Sequence, residues 1–94
     1  METDMNIQKY SEKELKRMKE VFSKLKVKSK SQSKKAGGLL EFAKNYYNDG
    51  IYFSDKGQFI EAFEAFIISW AYVDIGLKLG LFEVPDEIKR FFTA

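Results

Sequence analysis

The stretch from Gln58 to Phe82 carries two apolar stripes instead of one when its residues are placed on a helix. At about 100° per residue, the main stripe consists of Phe59, Phe63, Phe66, Trp70, Val73 and Leu77. The second stripe, on the opposite side, consists of Ile68, Tyr72, Ile75 and Leu79. A helix of a small domain needs only one stripe. The pattern therefore predicts a helix over about residues 58–79 that is either central to the fold or committed to a partner.

Upstream, a narrower stripe predicts a first helix over about residues 11–28. Ser11 and Glu14 have the spacing of a capping box, in which each side chain accepts a hydrogen bond from a backbone N–H that the start of a helix leaves unpaired. We therefore expect the helix to begin near Ser11. Beyond it, apolar residues recur at intervals of three and four, which places them on one side of the helix. They are Leu15, Met18, Phe22 and Leu25.

Two structures compete for the segment between these helices. Asn48-Asp49-Gly50, which stands between two aromatic pairs, is a recognised hairpin signal. The apolar positions nevertheless keep a helical period through it. These positions are Leu39, Phe42, Ala43, Tyr46, Gly50 and Phe53. We therefore predict a second helix over about residues 37–56 with these residues facing inward, and Gly50 there would allow a neighbouring helix to approach closely.

Glycine and proline mark the ends of the remaining elements. Gly57 predicts a left-handed cap at the end of helix two, and the short turn makes helices two and three antiparallel. Gly80 predicts the end of helix three, and Pro85 predicts the first turn of a short helix over about residues 85–92. The predicted fold is all-α. A single domain, residues 1–94, forms an antiparallel three-helix bundle with a short C-terminal fourth helix.

Between Lys24 and Lys35 the chain has six lysines and no acid, which predicts a Lys/Ser-rich linker over about residues 29–36. The candidate phosphate contacts are Lys24, Lys26, Lys28, Lys30, Lys34 and Lys35. The run lacks the arginines and aromatic residues that commonly stack on bases. The rest of the chain has ten basic residues against fourteen acids. Nucleic-acid binding is therefore the alternative function and not the leading one.

Composition narrows the ways in which a chain of 94 residues can be stabilised. A domain this short is often marginal alone. The absence of cysteine and histidine removes disulfides and most metal sites, which leaves oligomerisation. The N-terminus lacks the apolar core of a secretory signal, and the longest uncharged apolar run, nine residues from Ala65 to Val73, is too short to span a bilayer. We expect a cytoplasmic protein with no membrane partner.

Catalytic chemistry is missing from the sequence. Histidine and cysteine are absent, and so are the motifs G-x-x-x-x-G-K-[ST], G-x-G-x-x-G and G-x-S-x-G. We therefore expect no enzymatic activity and no cofactor. Carboxylate pairs such as Glu61 with Glu64 leave a carboxylate-metal enzyme as a remote alternative, because hard cations need no nitrogen ligand.

Asp74 is the one acid of the predicted helix beyond Glu64, and two structural roles suit it. Its carboxylate can accept N–H groups at the start of helix two, near the positive end of that helix dipole. Alternatively, it can pair with Lys78 one turn further along. Either role stabilises the fold and requires no ligand.

The leading function is a non-enzymatic interaction module with helix three in its centre. The candidate interface consists of the second stripe, Ile68, Tyr72, Ile75 and Leu79, together with Phe91 and Phe92. Two outcomes compete for this stripe. Either the terminal segment folds back over it and closes a monomer, or the stripe pairs with its counterpart in a second chain, which makes a twofold dimer. We favour the dimer, although a different protein partner fits the same stripe.

The block from Ala43 to Phe82 resembles an archaeal family known as domain of unknown function 357. That family has a tyrosine pair followed by an acid, a glycine at a helix turn, an alanine-rich third helix and a terminal pattern of Asp, Gly and Leu-Gly-Leu. The matching residues are Tyr46, Tyr47, Asp49, Gly57, Ala62, Ala65, Asp74, Gly76, Leu79, Gly80 and Leu81. The resemblance implies a helical bundle of archaeal, cytoplasmic origin, and it implies no activity.

Overall fold

Three long helices build the fold. The computed structural model describes residues 2–28 and 33–92, in which α1 spans Glu2–Lys24, α2 spans Ser33–Asp55 and α3 spans Phe59–Lys78. A four-residue helix, α4, spans Asp86–Lys89. Two short strands, β1 (Lys26–Val27) and β2 (Phe82–Glu83), lie in the connections. The predicted all-α bundle with a short fourth helix is confirmed.

Helix α1 begins earlier than predicted. It starts at Glu2 instead of Ser11 and ends at Lys24 instead of residue 28. Ser11 therefore lies inside the helix, where the backbone N–H groups already have intrahelical partners and no capping box is needed. Its side chain is buried and its hydroxyl has no hydrogen-bond partner among the described residues. The Glu14 carboxylate accepts a 3.0 Å hydrogen bond from Arg17 instead.

Helix α2 runs without interruption through Asn48-Asp49-Gly50, so the helical interpretation is confirmed and the hairpin is wrong. It begins at Ser33, so residues 33–36, predicted as linker, are helical, and residues 29–32 lie outside the described residues. Ala36 is fully buried in the core, which explains why the helix extends this far back. A Cβ atom added at Gly50 would collide with the ring of Phe66, so the predicted close approach is confirmed.

Both glycine caps form as predicted. Gly57 and Gly80 each have φ of 73°, the left-handed region. After α2, the N–H of Gln58 donates to the Phe53 carbonyl at 2.9 Å and the N–H of Gly57 to the Ser54 carbonyl at 3.0 Å. These two bonds are a Schellman motif, which satisfies carbonyls that the helix end leaves unpaired. The turn brings α3 back antiparallel to α2, since Ser69 on α3 donates to the Ala43 carbonyl on α2.

Helix α3 is the central element. It packs against both α1 and α2, while α1 and α2 contact each other much less. Phe66 and Val73 of the main stripe are fully buried. The core around them includes Met18, Val21, Ala43, Leu81, Phe82 and Ile88. Although α3 is the most apolar helix, no helix within residues 2–28 and 33–92 has the length and apolar character needed to cross a membrane.

A two-stranded ribbon ties the two connections together, which the sequence pattern did not predict. Strands β1 and β2 are antiparallel, with Lys26 opposite Glu83 and Val27 opposite Phe82. The N–H of Lys28 also donates to the Leu81 carbonyl at 2.8 Å. The buried Phe82 ring occupies the place where a side chain at Gly76 would lie. A strand of two residues shows no alternation of polar and apolar positions, so no local pattern reveals it.

The C-terminal segment packs beside Trp70. Only Asp86–Lys89 is helical, shorter than the predicted residues 85–92, and Pro85 takes the extended N-cap position. The Trp70 Nε1–H donates to the Phe91 carbonyl at 2.8 Å. The Phe92 ring stacks on the Trp70 indole with centroids 5.5 Å apart and an angle of 9° between planes. This segment therefore lies on the main-stripe side of α3.

Replacing Gly50 by alanine tests the closeness of α2 and α3. The added methyl group meets the buried Phe66 ring, so we expect Gly50→Ala to lower the free energy of unfolding by roughly 1–3 kcal/mol in spite of its better helix propensity. The control is Gly37→Ala, where nothing lies within 4 Å, and which should stabilise α2 by up to about 1 kcal/mol. Denaturant unfolding measures both. Equal stabilisation by the two variants would contradict the close packing.

A second prediction concerns the ion pair that joins α1 to α4. Lys24 Nζ donates to Glu87 Oε1 at 2.7 Å, which lowers the pKa of Glu87 below 4.5 and raises the pKa of Lys24 above 10.5. The Glu87 contribution to stability is complete above pH about 4.5 and is lost as pH falls through the lowered pKa. The Lys24 contribution is lost as pH rises through its raised pKa.

We therefore expect Glu87→Gln to flatten the acid side of the curve of unfolding free energy against pH. The change should be small, because both side chains are exposed to solvent. Glu41→Gln, which neutralises an exposed acid on α2, is the control for the loss of one negative charge. If the two variants show the same curves, the pair does not stabilise the folded state.

Candidate interface on helix three

An uncovered apolar surface runs along α3. Of the second stripe, Ile68 is 40% exposed, Ile75 is 46% exposed and Leu79 is 65% exposed. Together with their neighbours they form what we call the α3 face. Its members are Ile67, Ile68, Ala71, Tyr72, Ile75 and Leu79. All but Leu79 line a shallow depression of about 340 Å³.

The position of the α3 face follows from how α3 is packed. Phe66 and Ser69 point toward α2, where they meet Gly50 and the Ala43 carbonyl. The buried residues of α3 cluster on one side of the helix: Ala62, Ala65, Phe66, Ser69, Val73 and Gly76. At 100° per residue, Ile68 and Ile75 point away from this cluster. The helix therefore presents aliphatic side chains to solvent because its two neighbours occupy its other sides.

Tyr72 anchors one edge of the α3 face. Its ring stacks with Phe42 at 5.8 Å and with Tyr46 at 5.7 Å between centroids, so it is only partly exposed. Phe42 was predicted to face inward from α2, and this is wrong, since it is 56% exposed. It extends the apolar surface from α3 onto α2. The helical period placed Phe42 beside Ala43 but could not show how far around α2 the contact with α3 reaches.

The structure separates Phe91 and Phe92 from the other four candidate interface residues. Phe92 is buried against Trp70, and the Phe91 ring lies beside the guanidinium groups of Arg17 and Arg90, with ring centroids 5.6 and 4.9 Å away. Ile88 is fully buried in the core. The alternative in which the terminal segment folds back over the second stripe is therefore wrong for residues up to 92. The terminal segment lies beside Trp70 because the indole offers both a stacking surface for Phe92 and an N–H donor for the Phe91 carbonyl.

Asp74 takes the simpler of its two predicted roles. Its Oδ2 atom accepts a 2.6 Å hydrogen bond from Lys78 Nζ, one turn further along α3. The Lys78 side chain is 67% exposed, whereas the Asp74 side chain is largely covered. The pair borders the α3 face and leaves the Lys78 ammonium accessible.

Two of the candidate phosphate-binding lysines lie beside acids that are distant in sequence. Lys24 is bonded to Glu87, and Lys26 lies opposite Glu83 in the ribbon. Lys28, Lys34 and Lys35 are exposed, and Lys30 lies outside the described residues. The tertiary fold therefore brings carboxylates into a segment that is purely basic as a sequence. Nucleic-acid binding by this segment stays a prediction.

Carboxylates from α2 and α3 border a further depression. Asp49, Glu61 and Glu64 line a shallow hollow of about 260 Å³ beside Tyr46 and Ile68. Across residues 2–28 and 33–92, no group of three or more acids is close enough to hold a metal ion. The Glu61 and Glu64 side chains are exposed. The carboxylate-metal alternative gains no support from this arrangement.

Comparison with known proteins identifies the family. The family described as protein of unknown function DUF357 matches residues 9–82, most of the chain. The crystal structure of protein AF1782 from Archaeoglobus fulgidus, also a DUF357 protein, superposes with a TM-score of 0.74 at 24% identity, covering 88% of this chain and 99% of that one. That likeness shows a shared fold, and no curated protein matches the chain. The resemblance noted in the sequence is confirmed: this chain belongs to the DUF357 family.

Proposed function

We propose that this protein is a non-enzymatic self-association module in which the α3 face binds the same face of a second copy. The observation that supports this proposal is the row of exposed aliphatic side chains on the most central helix. Ile68, Ile75 and Leu79 are between 40% and 65% exposed, whereas Phe66 and Val73 of the same helix are fully buried. Contiguous exposed apolar surface on a small domain commonly marks an interaction site.

The size of the surface suits a modest dimer. From the exposed fractions of its members, the α3 face with Phe42 presents on the order of 500 Å² of mostly apolar area, similar to the largest patch of a typical monomer. Two such faces would bury about 1,000 Å², near the lower limit for specific protein interfaces. We therefore expect a dimer that forms in the micromolar range and dissociates on dilution.

A second copy of the chain is the partner that best fits the chemistry of the α3 face. The centre of the face, from Ile67 to Tyr72, contains no charged residue, so two copies can meet there without burying like charges. The aliphatic side chains of one copy also suit those of the other, as a twofold interface requires. A chain of 94 residues without disulfides gains most from this kind of reinforcement.

The non-enzymatic part of the proposal has separate support. The whole sequence lacks histidine and cysteine, the residues most used as general bases and thiol nucleophiles. The depression on the α3 face is shallow and is lined by aliphatic side chains and one tyrosine, without a charged group of the kind that orients a substrate. The absence of cysteine also fits a reducing, cytoplasmic location, which belongs to this proposal.

Charging the α3 face tests self-association. We expect light scattering to show the wild-type protein passing from monomer to dimer as its concentration rises through the micromolar range, and Ile75→Glu staying monomeric, because two carboxylates would be buried at the interface. Ile75 is a better site than Tyr72, whose ring also stabilises the fold through Phe42 and Tyr46.

The matched control is Tyr10→Glu on α1. Tyr10 is 55% exposed, comparable to Ile75, and lies outside the α3 face. The Tyr10→Glu variant should dimerise like the wild type, and circular dichroism should show that Tyr10→Glu and Ile75→Glu are both folded. A wild-type protein that is monomeric throughout the micromolar range would refute the proposal, as would an Ile75→Glu protein that dimerises normally.

A further inference from the structure

We propose that the two copies pair with their α3 helices antiparallel, about a twofold axis at Ala71, so that Glu64 of each copy faces Lys78 of the other. This inference rests on the proposed function and adds the orientation and register of the interface. Three observations on α3 support it: the spacing of its exposed residues, the signs of the charges at the two ends, and the small side chain in the middle.

The exposed side of α3 has the spacing of a coiled-coil seam. Its residues recur at intervals of four, three, four and three, which is the repeat that keeps one side of a helix against a partner over two heptads. These residues are Glu64, Ile68, Ala71, Ile75 and Lys78. Except for the partly exposed Ala71, all are exposed in the chain, so none is committed to the internal core. The seam is apolar in its middle and charged at its two ends.

Antiparallel pairing matches these charges. Glu64 and Lys78 stand seven residues before and seven residues after Ala71, so rotation about an axis at Ala71 brings each beside the other in the second copy. Ile68 and Ile75, three residues before and four residues after Ala71, come to within about 1.5 Å of the same level across the axis and can pack against each other. A parallel pair in the same register would instead place Glu64 against Glu64 and Lys78 against Lys78, which is unfavourable for both charges.

Ala71 suits the crossing point. A residue on a twofold axis faces its own copy, so its side chain sets how closely the helices approach. The alanine methyl group allows short separation, while Ile68 and Ile75 on either side can pack around it. The internal neighbours of α3 do not obstruct this approach, since the buried residues that meet α1 and α2 lie on the other side of the helix.

Lys78 is able to take a second partner. Its bond to Asp74 lies within the same helix, and the side chain is two-thirds exposed. An ammonium group has three donors. It can therefore bind Asp74 of its own chain and Glu64 of the other at the same time, and Asp74 would hold it in position for that contact.

Single cysteines test the register directly, because the natural chain has none. In the antiparallel pair, position 64 of one copy lies beside position 78 of the other. The two copies of position 64 are therefore roughly 21 Å apart along the helices, at about 1.5 Å of rise per residue. That distance is too long for a short thiol-specific crosslinker, and the same holds for the two copies of position 78. We expect Ala71→Cys to crosslink with itself. Neither Glu64→Cys nor Lys78→Cys should crosslink alone, but an equal mixture of these two variants should form the mixed crosslinked dimer.

The outcomes separate this inference from the proposed function. Self-crosslinking of Glu64→Cys, or no crosslinking in the mixture while the wild type is dimeric in light scattering, would overturn the antiparallel register and leave self-association intact. A monomeric wild type would instead refute the proposed function itself.

Charge reversal provides an independent measurement. Glu64→Lys and Lys78→Glu should each weaken dimerisation several-fold, since each places like charges together at both ends of the seam. The double variant restores opposite charges across the axis and should dimerise more tightly than either single variant. The Lys78→Glu change removes the bond to Asp74 in both the single and the double variant, so recovery in the double variant shows that loss of this bond is not what weakens the dimer. If the double variant dimerises no better than the single variants, Glu64 and Lys78 do not face each other.

Discussion

The close contact between α2 and α3 at Phe66 sets the rotation of the central helix, on which the rest of the structure depends. The missing side chain of Gly50 leaves room for the Phe66 ring, which is fully buried beside the Tyr47 ring. One turn further on, Ser69 donates a 2.6 Å hydrogen bond to the Ala43 carbonyl. Once this side of α3 faces α2 and the next side receives α1, its remaining side can only face solvent. The exposed aliphatic row is therefore a consequence of the internal packing.

The chain is constrained on both sides of α3. Left-handed glycines close the helix ends at both Gly57 and Gly80, and the chain after Gly80 is caught by the ribbon that pairs β2 with β1. This route delivers the terminal segment to Trp70, where it gains a stacked ring and a hydrogen bond. Since residues 86–92 lie on that side of the bundle, they do not cover the α3 face. Packing of the terminal segment against Trp70 therefore stabilises the bundle and also leaves the α3 face exposed.

Several of these features have local signals and were predictable from the sequence. The left-handed cap at Gly57 needs only a glycine after an apolar helical stretch, and the helix through Asn48-Asp49-Gly50 follows from a period that continues across it. The two stripes of α3 can be assigned from the sequence alone, because a helix turns by about 100° per residue. Three of the four second-stripe residues are indeed between 40% and 65% exposed. What these signals share is that each arises within one element of the chain.

Other features were decided by tertiary contacts, and local patterns misled there. Ser11 and Glu14 have capping-box spacing in the middle of α1, because that spacing also occurs inside a helix that continues upstream. Phe92 shares the apolar character of the second stripe, yet its ring stacks on an indole 22 residues away. By itself the sequence determined that α3 has two apolar sides. Only the tertiary structure decided what covers each side, because that depends on where Gly50 admits Phe66 and where Trp70 receives Phe91 and Phe92.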